Sequence, residues 1–123
     1  MTIEKGDIFL CDLDPVIGYE QGGKRPVLVV QNSTMNDPLH TIMIAPLTSN
    51  LKASRFLLTA LIKADSDSNL SQDSVALLFQ IRAVDKRRLK QKIGKISSET
   101  LAKVNSAIAL AFDLPGGEIQ KGK

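Results

Sequence analysis

The sequence predicts a mainly β protein with one C-terminal helix (α+β), folded as a small and strongly bent β barrel. Several short apolar segments alternate with polar loops, and only one late segment shows the period of about 3.6 residues that is typical of a helix. The chain has 123 residues, of which 43% are hydrophobic, so a single domain can bury a core without disulfides or a structural metal.

Three strands are predicted in the first half of the chain. Residues 7–13 alternate between two faces, which predicts a half-buried strand that opens after Gly6. Residues 26–30 form a continuous β-branched and leucine run, which is typical of a central strand covered on both faces. Residues 41–47 form the third strand, and Pro46 is expected to place its end at a sheet edge or a bulge.

Three more strands are predicted in the second half. Residues 56–62 form one, and residues 74–85 form another that is long enough to bend across a small barrel. Residues 90–96 form the last strand, in which Gly94 marks a bulge or a close approach of two backbones.

The helix is predicted in the segment SSETLAKVNSAIALAF. Ser97 or Ser98 can cap its first turn, and Glu99 suits its positive end. The face expected to be buried carries Leu101, Val104, Ile108 and Ala111. The folded domain is therefore expected to span residues 1–114, and the composition of residues 115–123 predicts a disordered tail.

The cellular compartment is predicted from cysteine usage and hydropathy. Cys11 is the only cysteine, which agrees with a reducing cytoplasm, and its alternating surroundings predict a small buried side chain. The charged N-terminal residues do not resemble a signal peptide, and the sequence has no apolar run of about 18 residues. We expect a soluble, cytoplasmic protein with no membrane association.

Several kinds of catalysis are disfavoured by the composition. His40 is the only histidine, and its loop predicts a surface position rather than a catalytic one. The acids, His40 and Cys11 do not show the spacing of a metal site, and neither a phosphate-binding P-loop nor a dinucleotide fingerprint occurs. We therefore predict no metal and no cofactor. The net charge of +3 is a mild basic excess, suited to a polyanion or an acidic partner.

The segment GYEQGGKRPVLVV, residues 18–30, joins a polar glycine-rich loop to the apolar central strand. Its glycines allow close approach to a ligand, and Pro26 restricts the preceding residue to extended backbone, so Arg25 leaves the loop in a fixed direction. A directed guanidinium suits a phosphate, which it can bind through two parallel hydrogen bonds. The alternative is a solvated hairpin loop. The other polar side chains of the loop are Glu20, Gln21 and Lys24.

Two further polar features are candidates for the same site. Thr48 and Ser49 end the third strand and could donate to developing phosphoryl charge, although an ordinary turn would also explain them. Gln80 is a polar side chain within an apolar segment, and it must find a partner or face an opening.

Nucleic-acid contacts are suggested by a basic run and a few aromatic residues. Residues 84–92 contain five basic side chains, among them Lys86 and Arg87, which could follow an RNA backbone or could form a solvated strand end. Base stacking would depend on Tyr19, Phe56 and Phe79, because aromatic residues make up only 4% of the chain.

Four collinear segments closely resemble the MazF/PemK family of toxin endoribonucleases, over about residues 5–114. They are GDIFLCDLDPVIGYEQGGKRPVLVVQN, TIMIAPLTS, DSVALLFQIRAVDKRRL and KIGKIS. The resemblance implies a small SH3-like barrel of the PemK/CcdB type that forms a homodimer. It also implies sequence-specific, metal-independent cleavage of single-stranded mRNA to 2′,3′-cyclic phosphate and 5′-hydroxyl ends, and inhibition by a cognate antitoxin that covers the groove.

The resemblance places the family's catalytic arginine at Arg25 and its threonine at Thr48, with Glu20 and Gln21 beside them. We expect Arg25 to bind the scissile phosphate, Thr48 to donate to a non-bridging oxygen, and Glu20 or a water to take the 2′ proton. The chain departs from the family at Tyr19, where serine is common, and at Phe79, where glutamate is common. Both departures could change which bases are accepted.

Two alternatives belong to other functional classes. A non-catalytic toxin similar to the CcdB gyrase poisons would act on a protein target, but those proteins end in Trp-Gly-Ile and this chain contains no tryptophan. A non-catalytic RNA-binding barrel is the other alternative. A homodimer is also suggested by the apolar content of Ile42, Ile44 and residues 74–84, which is generous for one small barrel.

Overall fold

The computed structural model describes residues 2–15 and 17–117, which form one curved antiparallel sheet and one α-helix. The strands are β1 (Asp7–Asp12), β2 (Lys24–Val29), β3 (Thr41–Thr48), β4 (Thr59–Ile62), β5 (Ser74–Leu77), β6 (Arg82–Asp85) and β7 (Leu89–Lys95). The helix is α1 (Ser98–Ala111). The predicted fold class, mainly β with a C-terminal helix, is confirmed.

The sheet has the order β4, β5, β3, β2, β1, β7, and β6 pairs with β3 beside β5. No ladder joins β4 to β7 in the described part of the chain, so the strands alone do not close a ring. The loop between β4 and β5 spans this gap, because the Lys95 N–H donates to the Asp67 carbonyl at 3.0 Å. The barrel is therefore completed by a loop rather than by a strand pair.

Gly94 lies where that loop meets β7. A Cβ atom at this position would be 2.3 Å from the Ser68 carbonyl oxygen and 2.4 Å from the Asp67 carbonyl oxygen. The register between β1 and β7 also shifts beside this residue, between Ile8 and Phe9. The prediction of a bulge or a close backbone approach is confirmed, and both features are present.

The central strand β2 is covered on both faces, as predicted. Leu28 packs into a cluster that includes Val104 and Ala107 of α1, whereas Val27 and Val29 belong to a second cluster on the other side. All three β2 side chains are fully buried. The sheet thus separates two apolar layers, which holds β2 and the adjacent loop rigidly.

Residues 74–85 do not form the single bent strand that was predicted. The segment divides into β5 and β6, separated by a 3₁₀ turn at Leu78–Gln80. Ile44 pairs with Arg82 and Leu47 pairs with Ala76, so three residue steps along β3 (44 to 47) correspond to six along the paired segment (76 to 82). The surplus of three residues forms the turn.

Pro46 explains why the pairing is interrupted at this point. It lies in β3 between the part paired with β6 and the part paired with β5, and it has no N–H with which to continue a ladder. The expectation of a sheet edge is wrong, since β3 has neighbours on both sides and Pro46 itself pairs with Val27. The alternative expectation of a local irregularity is correct.

The helix begins where the sequence predicts, but its buried face differs. The Ser97 hydroxyl accepts the Thr100 N–H at 3.1 Å, and Val104 is fully buried. Ala111 was expected in the core but is exposed, because it is the last residue of the helix; Ala107, one turn earlier, is buried instead. With 14 residues, α1 is the only described α-helix, and it is neither long nor apolar enough to cross a bilayer.

Two other expectations concern the chain end and the apolar surface. Residues 115–117 turn back onto α1, where the Ser106 hydroxyl donates to the Gly116 carbonyl at 3.0 Å, and the rest of the predicted tail lies outside the described residues.

Ile42 and Ile44 are fully buried within the single chain. They do not form the surplus apolar surface from which a homodimer was predicted.

Candidate active site

The loop before β2 is fixed to the start of the hairpin by its own backbone. The Leu13 N–H donates to the Gly23 carbonyl at 3.0 Å, and the Gly23 N–H donates to the Asp14 carboxylate at 2.8 Å. Gly23 has a φ of +73°, a conformation that a residue with a Cβ rarely adopts. This anchoring determines where the next two residues, Lys24 and Arg25, enter the sheet.

Arg25 is held by backbone carbonyl groups on both sides of the hairpin. Its Nε donates to the Gly22 carbonyl at 2.9 Å, and its Nη1 donates to the Leu47 carbonyl at 3.2 Å. A guanidinium has five N–H donors, so three remain without an acceptor among the described residues. Arg25 is half-buried, and its charge can therefore act on a ligand without reorganisation of the side chain.

Thr48 ends β3 close to the start of β2. The β2–β3 ladder ends at Val27 and Pro46, and the same register continued by two residues would set Arg25 opposite Thr48. The Thr48 hydroxyl accepts the Asn50 N–H at 3.2 Å, which orients its oxygen. The hydroxyl proton remains available for donation to an anion. Arg25 also contacts the carbonyl of Leu47, the residue before Thr48, so the two predicted residues lie near one another at the end of β3 while lining different cavities.

The end of β3 forms a wall between two cavities. Leu47 and Ser49 line a pocket of about 270 Å³, which we call the polar pocket, whereas Thr48 and Asn50 line a groove of about 1030 Å³, which we call the apolar groove. This alternation is expected of an extended chain, whose successive side chains point to opposite sides. Arg25 lines the polar pocket, so the predicted pair lies at the boundary of both cavities.

Aromatic and aliphatic side chains cover much of the apolar groove. Phe56 and Phe79 make an edge-to-face contact with ring centroids 6.3 Å apart, and they are 64% and 46% exposed. Tyr19 also lines the groove and is 99% exposed, so its ring packs against almost nothing in the chain. Exposed rings of this kind are suited to stacking with flat bases.

Gln80 joins the loop to the turn after β5. Its Oε1 accepts the Gln21 N–H at 3.1 Å, and both residues line the apolar groove. The expectation that Gln80 finds a partner or faces an opening is confirmed on both counts. Its amide N–H groups remain free of described acceptors and can donate into the groove.

Glu20 and Lys24 do not line either cavity. The Glu20 carboxylate instead accepts the Ile17 N–H within the same loop, at 2.7 Å. The side chains of Glu20 and Lys24 are both exposed. The structure therefore does not bring Glu20 to Arg25 in the position predicted for a base.

Lys86 and Arg87 lie at the other end of β3. Asp85, which precedes them, pairs with Thr41, and the seven residue steps from Thr41 to Thr48 correspond to about 23 Å. The Lys86 Nζ contacts the Asp37 carbonyl at 3.1 Å, and Arg87 forms an ion pair with Asp85 at 2.9 Å. The hydrogen bonds from Arg87 hold the pKa of the Asp85 carboxyl well below its usual range. Lys86 and Arg87 therefore line neither cavity, and their contact with RNA stays a prediction.

Sequence reasoning missed two groups of residues. Lys52 and Arg55 line the apolar groove on the 3₁₀ helix Leu51–Arg55, where a repeat of about three residues per turn places them on one side. Ser71 and Gln72, in the loop between β4 and β5, line the polar pocket. The spacing of Lys52 and Arg55 next to Phe56 was the available signal; nothing in the sequence marked Ser71 or Gln72.

The remaining reactive groups lie away from the site. His40 is exposed in its loop, and Cys11 is fully buried, as predicted. Burial raises the pKa of the Cys11 thiol to about 11, so the thiol is neutral and inert near pH 7. Within residues 2–15 and 17–117, the His, Cys, Asp and Glu side chains do not converge in a group of three that could hold a metal ion.

The chain is similar in sequence and in fold to toxins of the MazF type. Residues 4–112 match the family described as "PemK-like, MazF-like toxin of type II toxin-antitoxin system". The chain is 40% identical over 112 residues to "Endoribonuclease MazF" of Staphylococcus saprophyticus, an alignment that covers 91% of this chain and 92% of the relative.

Two solved structures from Deinococcus radiodurans share the fold. MazF alone superposes with a TM-score of 0.78 at 23% identity, covering 93% of this chain and 99% of that chain. A MazE-MazF structure gives a TM-score of 0.71 at 24% identity, covering 92% and 97%. The family match spans nearly the whole described domain and includes Arg25 and Thr48. The chain therefore belongs to the PemK-like, MazF-like toxins of type II toxin-antitoxin systems.

Proposed function

We propose that this protein is an endoribonuclease toxin that cuts single-stranded mRNA at specific sequences, without a metal ion, and that a cognate antitoxin neutralises it. The observation that carries the proposal is the position of Arg25, whose guanidinium is fixed by two backbone carbonyl groups near Thr48. The name of the Staphylococcus saprophyticus relative, an endoribonuclease, supports the same activity.

The chemistry needs few protein groups because RNA contains its own nucleophile. The 2′ oxygen attacks the adjacent phosphorus, the bond from phosphorus to the 5′ oxygen breaks, and the products are a 2′,3′-cyclic phosphate and a 5′ hydroxyl. One proton leaves the 2′ oxygen and one reaches the 5′ oxygen. The enzyme has to align the attack, move these protons and stabilise the charge on the phosphorane.

Arg25 and Thr48 supply the charge stabilisation in this proposal. The free N–H groups of Arg25 bind two phosphoryl oxygens, and the Thr48 hydroxyl donates to a non-bridging oxygen. A guanidinium has N–H donors and no acceptor, so Arg25 is a poor base and is suited to stabilise the charge on the leaving 5′ oxygen by hydrogen bonds, while that oxygen takes its proton from water. The 2′ proton goes to Glu20 or to a water that Glu20 orients, which requires its carboxylate to leave the Ile17 N–H.

The apolar groove would hold the unpaired bases. Tyr19, Phe56 and Phe79 offer exposed rings for stacking, and Gln21 and Gln80 offer polar groups for base edges. Lys52 and Arg55 on the same wall would meet the phosphate backbone. A folded duplex does not expose its bases in this way, which favours a single-stranded substrate.

The antitoxin and a second copy of the chain are the proposed protein partners. The structures of MazE with MazF from Deinococcus radiodurans support an antitoxin of this kind. A homodimer is proposed from the resemblance to the MazF/PemK family, whose members form symmetric pairs. Met43, Leu61 and Phe112, which are 45%, 45% and 60% exposed, are apolar side chains outside the groove that an interface would cover. Light scattering at micromolar concentration tests the dimer, and a monomer would contradict it.

The activity is tested with labelled single-stranded RNA in the presence of EDTA. We expect cleavage to persist, to leave a 2′,3′-cyclic phosphate, and to stop when the nucleotide before the cut is replaced by its deoxy form. Lys103→Ala is a suitable control variant, because Lys103 is exposed on α1 and lines neither cavity. Cleavage of the deoxy substrate, or a requirement for a divalent metal, would refute the mechanism.

A further inference from the structure

The polar pocket lies beside Arg25, on the other side of the β3 wall from the apolar groove. Its volume of about 270 Å³ is below the range of about 300–1,000 Å³ that is typical of drug-sized ligands, so it suits a single ring system. Pro26, Leu47 and Leu70 supply apolar surface, and the side chains of Ser49, Ser71 and Gln72 supply polar groups.

Three polar side chains of this pocket have no hydrogen-bond partner among the described residues, whereas the Ser74 hydroxyl donates to the Gln72 carbonyl at 3.0 Å. The hydroxyl groups of Ser49 and Ser71 and the side-chain amide of Gln72 make no hydrogen bond to any described residue. An amide offers one acceptor and two donors, and each hydroxyl offers both functions. A flat apolar surface with such groups at its margin fits a heterocyclic base, which presents two faces to pack and an edge to hydrogen-bond.

The charges around the pocket disfavour a second phosphate. Among the described residues Arg25 is the only cation that lines it, and Arg25 is already assigned to the scissile phosphate. The loop between β4 and β5 that forms one wall carries one cation, Lys63, and three carboxylates, those of Asp65, Asp67 and Asp73. Their negative charge would repel a further phosphate but would tolerate a neutral base.

The loop that carries Ser71 and Gln72 is held in place before any ligand binds. Asp73 accepts the Ala64 N–H at 2.8 Å, and the Ser68 hydroxyl donates to the Lys63 carbonyl at 2.7 Å. Its tip is tied to β7 through the bond from the Lys95 N–H to the Asp67 carbonyl at 3.0 Å. A wall fixed at both ends and at its tip can discriminate between bases because it does not adapt to each of them.

We propose that the polar pocket binds one nucleobase next to the scissile phosphate and that Gln72 selects that base by hydrogen bonds to its edge. This inference rests on the proposed function, because it assumes a phosphate at Arg25. Since Thr48 and Ser49 face opposite cavities, an RNA strand that crosses β3 at Arg25 directs one neighbouring base into the apolar groove and the other into the polar pocket. Ser49 and Ser71 then hold the sugar or the remaining edge of the base.

The test is the cleavage profile of a randomised RNA library, read by sequencing the new 5′ ends. Wild-type protein should prefer one base at a position beside the cut, by about 5- to 100-fold, and Gln72→Ala should reduce that preference to about twofold or less. Preferences at the other positions should stay unchanged. Gln91→Ala is the matched control, because Gln91 is an exposed glutamine on β7 that lines neither cavity. An unchanged profile in Gln72→Ala would overturn the proposal.

A second measurement separates this inference from the proposed function. The side-chain amide signal of Gln72 is followed by NMR during titration with each of the four nucleoside 3′-monophosphates, which need not be cleaved. We expect one of them to shift this signal more strongly than the others. If the protein cuts no RNA but the signal shifts selectively, the proposed function is wrong and the pocket assignment stands. If no nucleotide shifts it, the pocket assignment is refuted even when RNA is cleaved.

Discussion

The Nη1 atom of Arg25 lies 3.2 Å from the carbonyl oxygen of Leu47, so the guanidinium spans from β2 to β3. A second bond, from Nε to the Gly22 carbonyl at 2.9 Å, fixes the plane of the group. The charge is therefore oriented before a phosphate arrives, and no side-chain entropy has to be lost at that moment. The backbone carbonyl groups of Gly22 and Leu47 thus orient the remaining N–H donors of Arg25 before a phosphate binds.

Arg25→Ala and Arg25→Lys should both lose activity. Removal of one transition-state donor typically lowers the rate about 100- to 1000-fold, and an ammonium group cannot bind the Gly22 carbonyl, the Leu47 carbonyl and a phosphate in the same planar arrangement. Single-turnover cleavage rates are the measurement, with Lys103→Ala as the control. A lysine variant with a near-normal rate would show that charge alone is required.

Thr48→Ala should reduce the cleavage rate by about 100-fold, whereas Thr48→Ser should retain most of it. The hydroxyl accepts the Asn50 N–H and keeps its proton for the substrate, and serine preserves both interactions. Rates at saturating RNA distinguish this effect from weaker binding. If the alanine and serine variants were equally impaired, the methyl group rather than the hydroxyl would be the important part of Thr48.

Features that depend on nearby residues could be predicted from the sequence. The continuous apolar run of β2 predicted burial on both faces, Ser97 was recognised as a helix cap, and the surroundings of Cys11 predicted its burial. The pairing of Arg25 with Thr48 followed from family resemblance and agrees with the strand register. Each of these conclusions needed only a short window or a collinear motif.

Features that depend on distant residues could not be predicted. The break between β5 and β6 occurs opposite Pro46, about thirty residues earlier in the chain, where the ladder has no N–H to use. The position of Lys52 and Arg55 next to Phe56 was a signal in the sequence, but it does not show which pair of basic residues lies at the groove. Only the topology places this pair in the groove and the two basic residues directly after β6 at the far end of β3.

Gly94→Ala should destabilise the protein by about 1–3 kcal/mol, because its Cβ would meet backbone oxygen atoms that cannot move independently. Gly23→Ala is a useful comparison, since its Cβ would have no neighbour within 4 Å and only the φ of +73° would be strained. Urea unfolding of both variants separates steric conflict from backbone strain. A Gly94→Ala protein as stable as the wild type would mean that the loop is not packed against β7 in solution.

Cys11 should make the stability depend on pH in the alkaline range. Burial raises the thiol pKa from 9.0 to about 11, so the unfolded chain releases this proton first as the pH rises. The stabilisation from the neutral thiol is complete below pH 9 and is lost progressively between pH 9 and about 11. The difference in unfolding free energy between wild type and Cys11→Ala should shrink across that range. A constant difference would show that the thiol titrates alike in both states.

Lys52→Ala and Arg55→Ala should each weaken the binding of RNA that carries deoxyribose at the cut. Both side chains lie on one side of the 3₁₀ helix and line the apolar groove, where they can meet the phosphate backbone. For single-stranded nucleic acid, each neutralised phosphate contributes about 0.7 to the slope of log affinity against log salt, so each variant should lower the magnitude of that slope by about 0.7. Lys103→Ala is the matched control, because Lys103 is exposed on α1 and lines neither cavity. A full salt slope in both groove variants would mean that the RNA backbone follows another path across the protein.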